Sequence, residues 1–185
     1  MRKFEIALNC VCAALMIAAM LSAQSLERGA ALPQLKGTTL DGHELTLPDA
    51  ASGKVTLLIL TFSKAAGERA QEWNKRFFND YPQDDMITSY AVAMLEDVPS
   101  LFRGLARSGI KRGVPAAMHS RFLIVTTNEA AWKQYAGLQD DKVPYLLLFD
   151  NKAKLQWTHH GSFEQPIYDA LKAKIADLSK KQSSP

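Results

Sequence analysis

Cysteine is almost missing from this sequence: two residues in 185, Cys10 and Cys12, both in the first dozen positions. Everything from Ala13 onward therefore has no disulfide scaffold, no cysteine-ligated zinc and no thiol nucleophile of its own. Charge of one sign is scarce too. Lys and Arg number 22 against 19 Asp and Glu, a formal +3 that is too mild to argue for nucleic acid as a partner. Histidine occurs four times. The adjacent pair His159-His160 would point to opposite faces of a strand, and His43 and His119 are far off in sequence, so no metal-ligand set emerges. A phosphate loop, a G-x-S-x-G elbow and a catalytic-triad order are also absent. No catalytic residue and no cofactor is assigned.

What remains is ordinary globular composition, 47% hydrophobic and 22% charged, with the length of one domain. The first segment reads as an export signal. Arg2 and Lys3 precede a charge-free run from Ile6 to Leu21, 16 residues, and then small and polar residues around Ala23. That run is short for a spanning helix, which needs roughly 20 residues. Cleavage near Ala23 or Gln24 is expected, which places the protein in the periplasm or outside the cell. The alternative is a membrane anchor formed by an uncleaved residue 1–24 segment. No small-residue lipoprotein box precedes Cys10 or Cys12. Removing 24 of the 185 residues leaves a cysteine-free chain of 161, long enough to bury roughly 68–70% of its unfolded surface without a disulfide.

Along the rest of the chain, residues 25–34 lack a period and read as an extended lead-in. Asp41-Gly42 between alternating segments 35–40 and 43–47 is a hairpin signal. Lys54 to Phe62 is nearly continuously apolar and β-branched, as suits a central strand covered on both faces. A small-residue loop from Ser63 to Gly67 leads into a helix from Glu68 to Tyr81, with Trp73, Phe77 and Phe78 expected in the core. Further strands are read at 86–94, 121–126, 145–149 and 155–159, and helices at 99–110, 129–135 (capped by Asn128) and 162–178. Residues 35–178 thus form one α/β domain, a three-layer sandwich with a central mixed sheet flanked by helices and preceded by an N-terminal hairpin. Residues 179–185 read as a flexible tail.

This order of elements resembles the thioredoxin-like fold of peroxiredoxins and periplasmic redoxins over about residues 32–178. Leu40-Asp41-Gly42 looks like that family's leading hairpin, and Gly53-Lys54-Val55 with the run to Phe62 like its central strand. Ser63 to Ala70 stands in the place of its active-site loop, and Val143-Pro144 looks like its cis-proline. Redoxins carry cysteines at the start of the first helix, where the helix N-terminus lowers a thiol pKa; here Gly67 and Ala70 stand about where the pair would be. A narrower resemblance fits better. Lys54-Val55, Thr61-Phe62-Ser63, Trp73 and Phe77, Tyr145 to Asp150 and Leu155-Gln156-Trp157 look like the mitochondrial ATP synthase assembly factors, a family with a thioredoxin-like core. That resemblance implies no redox pair and a role as chaperone for a membrane subunit.

The expectation is a non-catalytic binding or assembly protein for a polypeptide client, a membrane-protein subunit among the candidates. Its contacts would come from Ser63, Lys64, Gly67, Glu68, Arg69, Val143, Pro144 and Trp157, in the groove beside Pro144. The alternative is a redoxin-type thiol-disulfide or peroxide oxidoreductase acting without its usual cysteines or with a partner's thiol. Arg103, Arg107, Lys111, Arg112 and Arg121 form a basic group that could face anionic lipid or an acidic partner, so membrane contact is read through that face or through the N-terminal segment.

Overall fold

The computed structural model describes residues 27–82 and 84–182. Cys10, Cys12 and the expected signal segment lie outside the described residues. Seven strands, β1 (Leu35–Thr39), β2 (Glu44–Leu47), β3 (Val55–Thr61), β4 (Ile87–Met94), β5 (Phe122–Val125), β6 (Tyr145–Phe149) and β7 (Leu155–His160), form one mixed sheet in the order β2-β1-β5-β4-β3-β6-β7. At its centre β3 runs parallel to β4, which is parallel to β5. On the other side β6 is antiparallel to β3, and β7 is antiparallel to β6.

Every residue of β3 is buried, because both faces of the sheet are covered. Alternation divides its side chains. Leu58 and Leu60 join Val92, Leu147, Phe149 and Trp132 on one face, while Leu57 and Ile59 join Trp73, Phe77, Leu148, Leu171 and Ile175 on the other. The second face is covered by α1 (Lys64–Asp80) and α4 (Gln165–Gln182), the first by the short α3 (Glu129–Tyr135). Helix α2 (Ser100–Gly113) rests Ala106 and Ile110 on Leu40, Ala93, Leu95 and Ile124. The expected three-layer α/β architecture is what the chain forms.

The hairpin of β1 and β2 precedes β3 as expected, and it is also joined to the sheet, with Thr38 opposite Ile124 of β5. Gly37 permits that approach, since a Cβ there would meet the Ile124 carbonyl oxygen at 3.0 Å. Several local expectations change. Helix α1 starts at Lys64 rather than Glu68, and α4 runs on to Gln182, into the segment expected as a tail. Residues 29–32 of the lead-in are tied to β7: Gly29 N–H donates to the Leu155 carbonyl at 2.7 Å and Leu155 N–H to that of Ala30 at 2.8 Å. Trp73 and Phe77 are core residues as expected, but Phe78 is only half-buried, its ring 4.8 Å below the Arg121 guanidinium. Asn128 does not cap α3: it takes φ +61° with no side-chain hydrogen bond to the helix. Short polar residues tolerate that left-handed conformation, and the free amide of Glu129 is met instead by the Glu96 carboxylate.

The topology gathers several connecting segments at one end of the sheet. The parallel strands β3, β4 and β5 all end at one edge of the sheet, where β6 begins and β7 ends. The segments after β3, β4, β5 and β7, and the one before β6, therefore meet there.

Candidate functional site

At that edge the chain leaves β3 through Phe62 and enters α1. Ser63 is the N-cap, with extended backbone, and its Oγ accepts from the Ala66 N–H at 3.1 Å. Such a cap satisfies one of the unpaired amides of the first turn. The same hydroxyl donates to the Asp141 carbonyl at 2.6 Å, and Arg69 Nη1 donates to the Lys142 carbonyl at 3.2 Å. Two side chains of the first helical turns thus hold the segment before β6 against the helix start. From below, the buried Tyr145 hydroxyl accepts from the amides of Gln139 at 2.8 Å and Asp140 at 3.1 Å. That segment is fastened on two sides.

The helix start is the place where a redoxin holds its thiols. Because α1 begins at Lys64, that place is Ser63 and, one turn on, Ala66; Gly67 and Ala70 lie deeper along the helix than their sequence positions imply. Ser63 cannot act as a substitute nucleophile, since its hydrogen-bond partners are a backbone amide and a backbone carbonyl, with no base among them. The proline expectation is also corrected. Among the described residues the cis peptide is Leu47-Pro48, and Val143-Pro144 is trans. Val143 packs partly on the first core cluster, and Pro144 is a buried strand-start residue whose carbonyl accepts from Gly161 N–H at 3.1 Å. A proline at that position costs the ladder no donor.

Of the expected contact residues, the structure brings Ser63 and Arg69 into a seam with residues 141–142, the two that precede Val143 and Pro144. Lys64 and Glu68 are exposed on the first turns of α1 and pair with each other at 3.6 Å. Gly67 faces a small gap between α1 and the sheet, lined also by Thr61, Ala70 and Asn74. Trp157 does not belong to the seam: it lies on the edge strand β7, half-buried against the second core cluster. His159 and His160 do point to opposite faces. His159 lies tilted against Trp73 at 5.7 Å, with burial as the main cause of a pKa below its ordinary value and His160 second, while His160 stacks on Tyr145 at 5.4 Å. Among the described residues no group of three or more His, Cys, Asp or Glu could hold a metal ion.

Sequence reasoning missed a second fastening, two strands along the same edge. Glu129 opens α3 yet is only 2% exposed. Its Oε2 accepts from the amides of Glu96 at 3.0 Å and Asp97 at 3.3 Å, and its Oε1 lies 2.9 Å from Lys133 Nζ. The Glu96 carboxylate returns the bond by accepting from Glu129 N–H. Lys133 also pairs with Asp97; that carboxylate first, and Glu129 second, push its pKa up to about 12. In sequence, a glutamate beginning a short helix reads as a solvated first turn, and nothing local distinguishes this one. Three members of the basic group are also anchored to the chain. Arg103 donates to the carbonyls of Val98 and Glu96, Arg107 to that of Thr39 and Arg121 to that of Pro82, so those three serve the backbone.

Ser63→Ala is expected to cost about 1–2 kcal/mol of stability through loss of the cap. It should also speed amide exchange at residues 138–142, read by peptide-resolved hydrogen exchange. If exchange there is unchanged, the seam is not what holds that segment.

A protein-family model described as "ATP10 protein" matches residues 22–178. No match was found among curated proteins. Solved structures with a similar fold include a candidate thiol:disulfide interchange protein DsbE from Chlorobium tepidum, 17% identical at a TM-score of 0.62 over 83% of this chain and 98% of that one. A candidate protein disulfide isomerase from Bacteroides thetaiotaomicron is 20% identical at 0.61, covering 84% and 91%. Thiol peroxidase from Chromobacterium violaceum is 17% identical at 0.53, covering 82% and 87%. At such identities the likeness is one of fold, and the fold is thioredoxin-like, as the order of elements implies. The resemblance to the ATP synthase assembly factors agrees with the family match.

Proposed function

This chain belongs to the ATP10 protein family, and from that membership we propose that it is an exported, non-catalytic assembly protein that holds a polypeptide client. In the pattern of the assembly factors it resembles, the client is a subunit of a membrane complex. The observation that carries the reading is the state of the helix start. Where the thioredoxin-like fold would hold its thiols, the chain has Ser63 and Ala66, and Ser63 is fully engaged in fastening the segment before β6. No cysteine occurs after Cys12 to replace them. With the seam closed by the Ser63 and Arg69 bonds, client contact is assigned to its exposed rim, Lys64, Glu68 and Arg69 with residues 140–142. Export is supported by the basic start at Arg2 and Lys3 and the charge-free run from Ile6 to Leu21, all of which precede the part matched by the family model.

Deleting the gene is expected to lower the amount of an assembled membrane complex, with ATP synthase the first to measure on native gels. The wild-type gene should restore it, and a Lys64→Ala/Arg69→Ala variant should restore it less. Purified full-length protein carrying Cys10→Ser/Cys12→Ser is expected to leave insulin disulfides and hydroperoxide at the buffer rate. Unchanged complexes across the envelope, or turnover well above buffer, overturn the reading.

A further inference from the structure

From Val98 to Asn128 the chain has no acidic residue in 31 positions but carries Arg103, Arg107, Lys111, Arg112 and Arg121. The remainder has 17 basic against 19 acidic residues, so this one segment supplies the whole positive balance of the protein. None of its five cations takes part in an ion pair among the described residues. Hydrogen bonds from Arg103, Arg107 and Arg121 to carbonyls hold their charge in place without neutralising it, and Lys111 and Arg112 are exposed.

The segment contains α2, which has no buried residue at all. Its inner side, Ala106 and Ile110, rests on the third core cluster, while Leu101 is 83% exposed, Phe102 53% and Leu105 68%. At about 100° per residue, Leu101, Leu105 and Arg112 share the side opposite Ala106 and Ile110, with Phe102 beside them. A surface helix needs one apolar stripe to hold it to its domain, and α2 has a second that faces away. This second stripe forms an exposed apolar ridge along the helix. It is followed along the same side by Arg112, with Lys111 on the flank. A fluid interface accommodates a ridge of that kind: Leu and Phe enter the headgroup and acyl boundary while the basic residues meet anionic headgroups.

We propose that α2 docks this protein on an anionic bilayer surface, inserting Leu101, Phe102 and Leu105 with Lys111 and Arg112 at headgroup level. The contact lies in the plane of the interface; among the described residues no helix is long and apolar enough to cross a membrane. It requires no client, so it stands or falls apart from the assembly role.

The test uses the full chain, in which residues 1–24 can bring the protein to vesicles by themselves, so the readout is local to α2. In a Phe102→Trp variant the added indole is expected to shift to the blue and be quenched by acyl-brominated lipid in phosphatidylglycerol–phosphatidylcholine vesicles. The native tryptophans serve as the subtracted background. At about fivefold per basic residue near an anionic surface, adding Lys111→Ala/Arg112→Ala should raise the lipid concentration for half-maximal quenching roughly 30-fold. Raising salt should do likewise, since screening shortens the reach of the charges. Leu101→Ser/Leu105→Ser should abolish quenching while leaving the melting temperature in place, because both side chains are exposed. No quenching with vesicles of any composition would overturn the proposal. Equal quenching on pure phosphatidylcholine would overturn its electrostatic part.

Discussion

Trp73→Ala is expected to be among the most damaging single changes in the molecule, costing roughly 3–5 kcal/mol in urea denaturation. The indole is fully buried between α1 and the sheet, with Phe163 at 5.0 Å and Tyr168 at 6.2 Å in edge-on contact. It also makes a polar tie, since Nε1–H donates to the Gly161 carbonyl at 3.1 Å and so joins α1 to the turn after β7. Truncation therefore opens a cavity and leaves that acceptor unpaired. Against a net stability of about 5–15 kcal/mol for a domain, the loss takes a large share. Two comparisons separate the contributions. Trp73→Phe keeps most of the ring but removes the donor and should cost less than half as much, and Trp157→Ala, on the half-buried edge strand, should also cost far less. Equal losses for Trp73→Ala and Trp157→Ala would mean that the second core cluster is not centred on α1.

Glu129→Ala is expected to come next, at about 3 kcal/mol. Removing the carboxylate takes the acceptor from the amides of half-buried Glu96 and exposed Asp97; a buried unsatisfied donor costs roughly 1–3 kcal/mol, so the Glu96 amide carries most of the loss. Lys133 keeps Asp97 as a partner, so its charge is not stranded, and the penalty stays at the lower end of what breaking a buried pair costs. Glu129→Gln retains one oxygen for the two amides and should lose about half as much. The outcome that would sink this account is Gln costing as much as Ala, because the charge on Lys133 rather than the amides would then be the term that matters. Hydrogen exchange at residues 95–98 should rise in the Ala variant and stay low in the Gln variant.

Both predictions lie beside features that are readable in the sequence, and the two differ in how much of the environment is local. Trp73 and Phe77 recur at helical spacing on an otherwise polar segment, which is enough to place them inside. Lys54 to Phe62 announces a strand covered on both faces for the same kind of reason. Phe78, next to Phe77, looks identical to a composition argument, and its half-exposed position under Arg121 follows only from where α1 is rotated against the sheet. The start of α1 is hidden in the sequence because Lys64-Ala65-Ala66-Gly67 is small and loop-like. The N-cap bond of Ser63 and the approach of residues 141–142 make it helical.

For the candidate site, resemblance is enough to group Ser63, Arg69, Val143 and Pro144, but what they do together is not legible in the chain. The Ser63–Asp141 bond joins residues 78 apart, and the carboxylate exchange between Glu96 and Glu129 joins residues 33 apart. The basic group reads as one cationic face, yet three of its members turn to backbone carbonyls.

What the sequence determined alone is whatever depends on local period or on covalent identity: the central strand, the faces of the long helices, and the confinement of both cysteines to the first twelve residues, which leaves a thioredoxin-like fold without thiols. Only the tertiary structure decided that the thiol-free helix start is closed by Ser63 and Arg69, that Glu129 is buried, and that Leu101 and Leu105 of α2 face outward. Each of those depends on which distant segment the sheet order brings alongside. Side-chain pattern reports how one element alternates between inside and outside, and it has no term for the partner that a crossover delivers from tens of residues away.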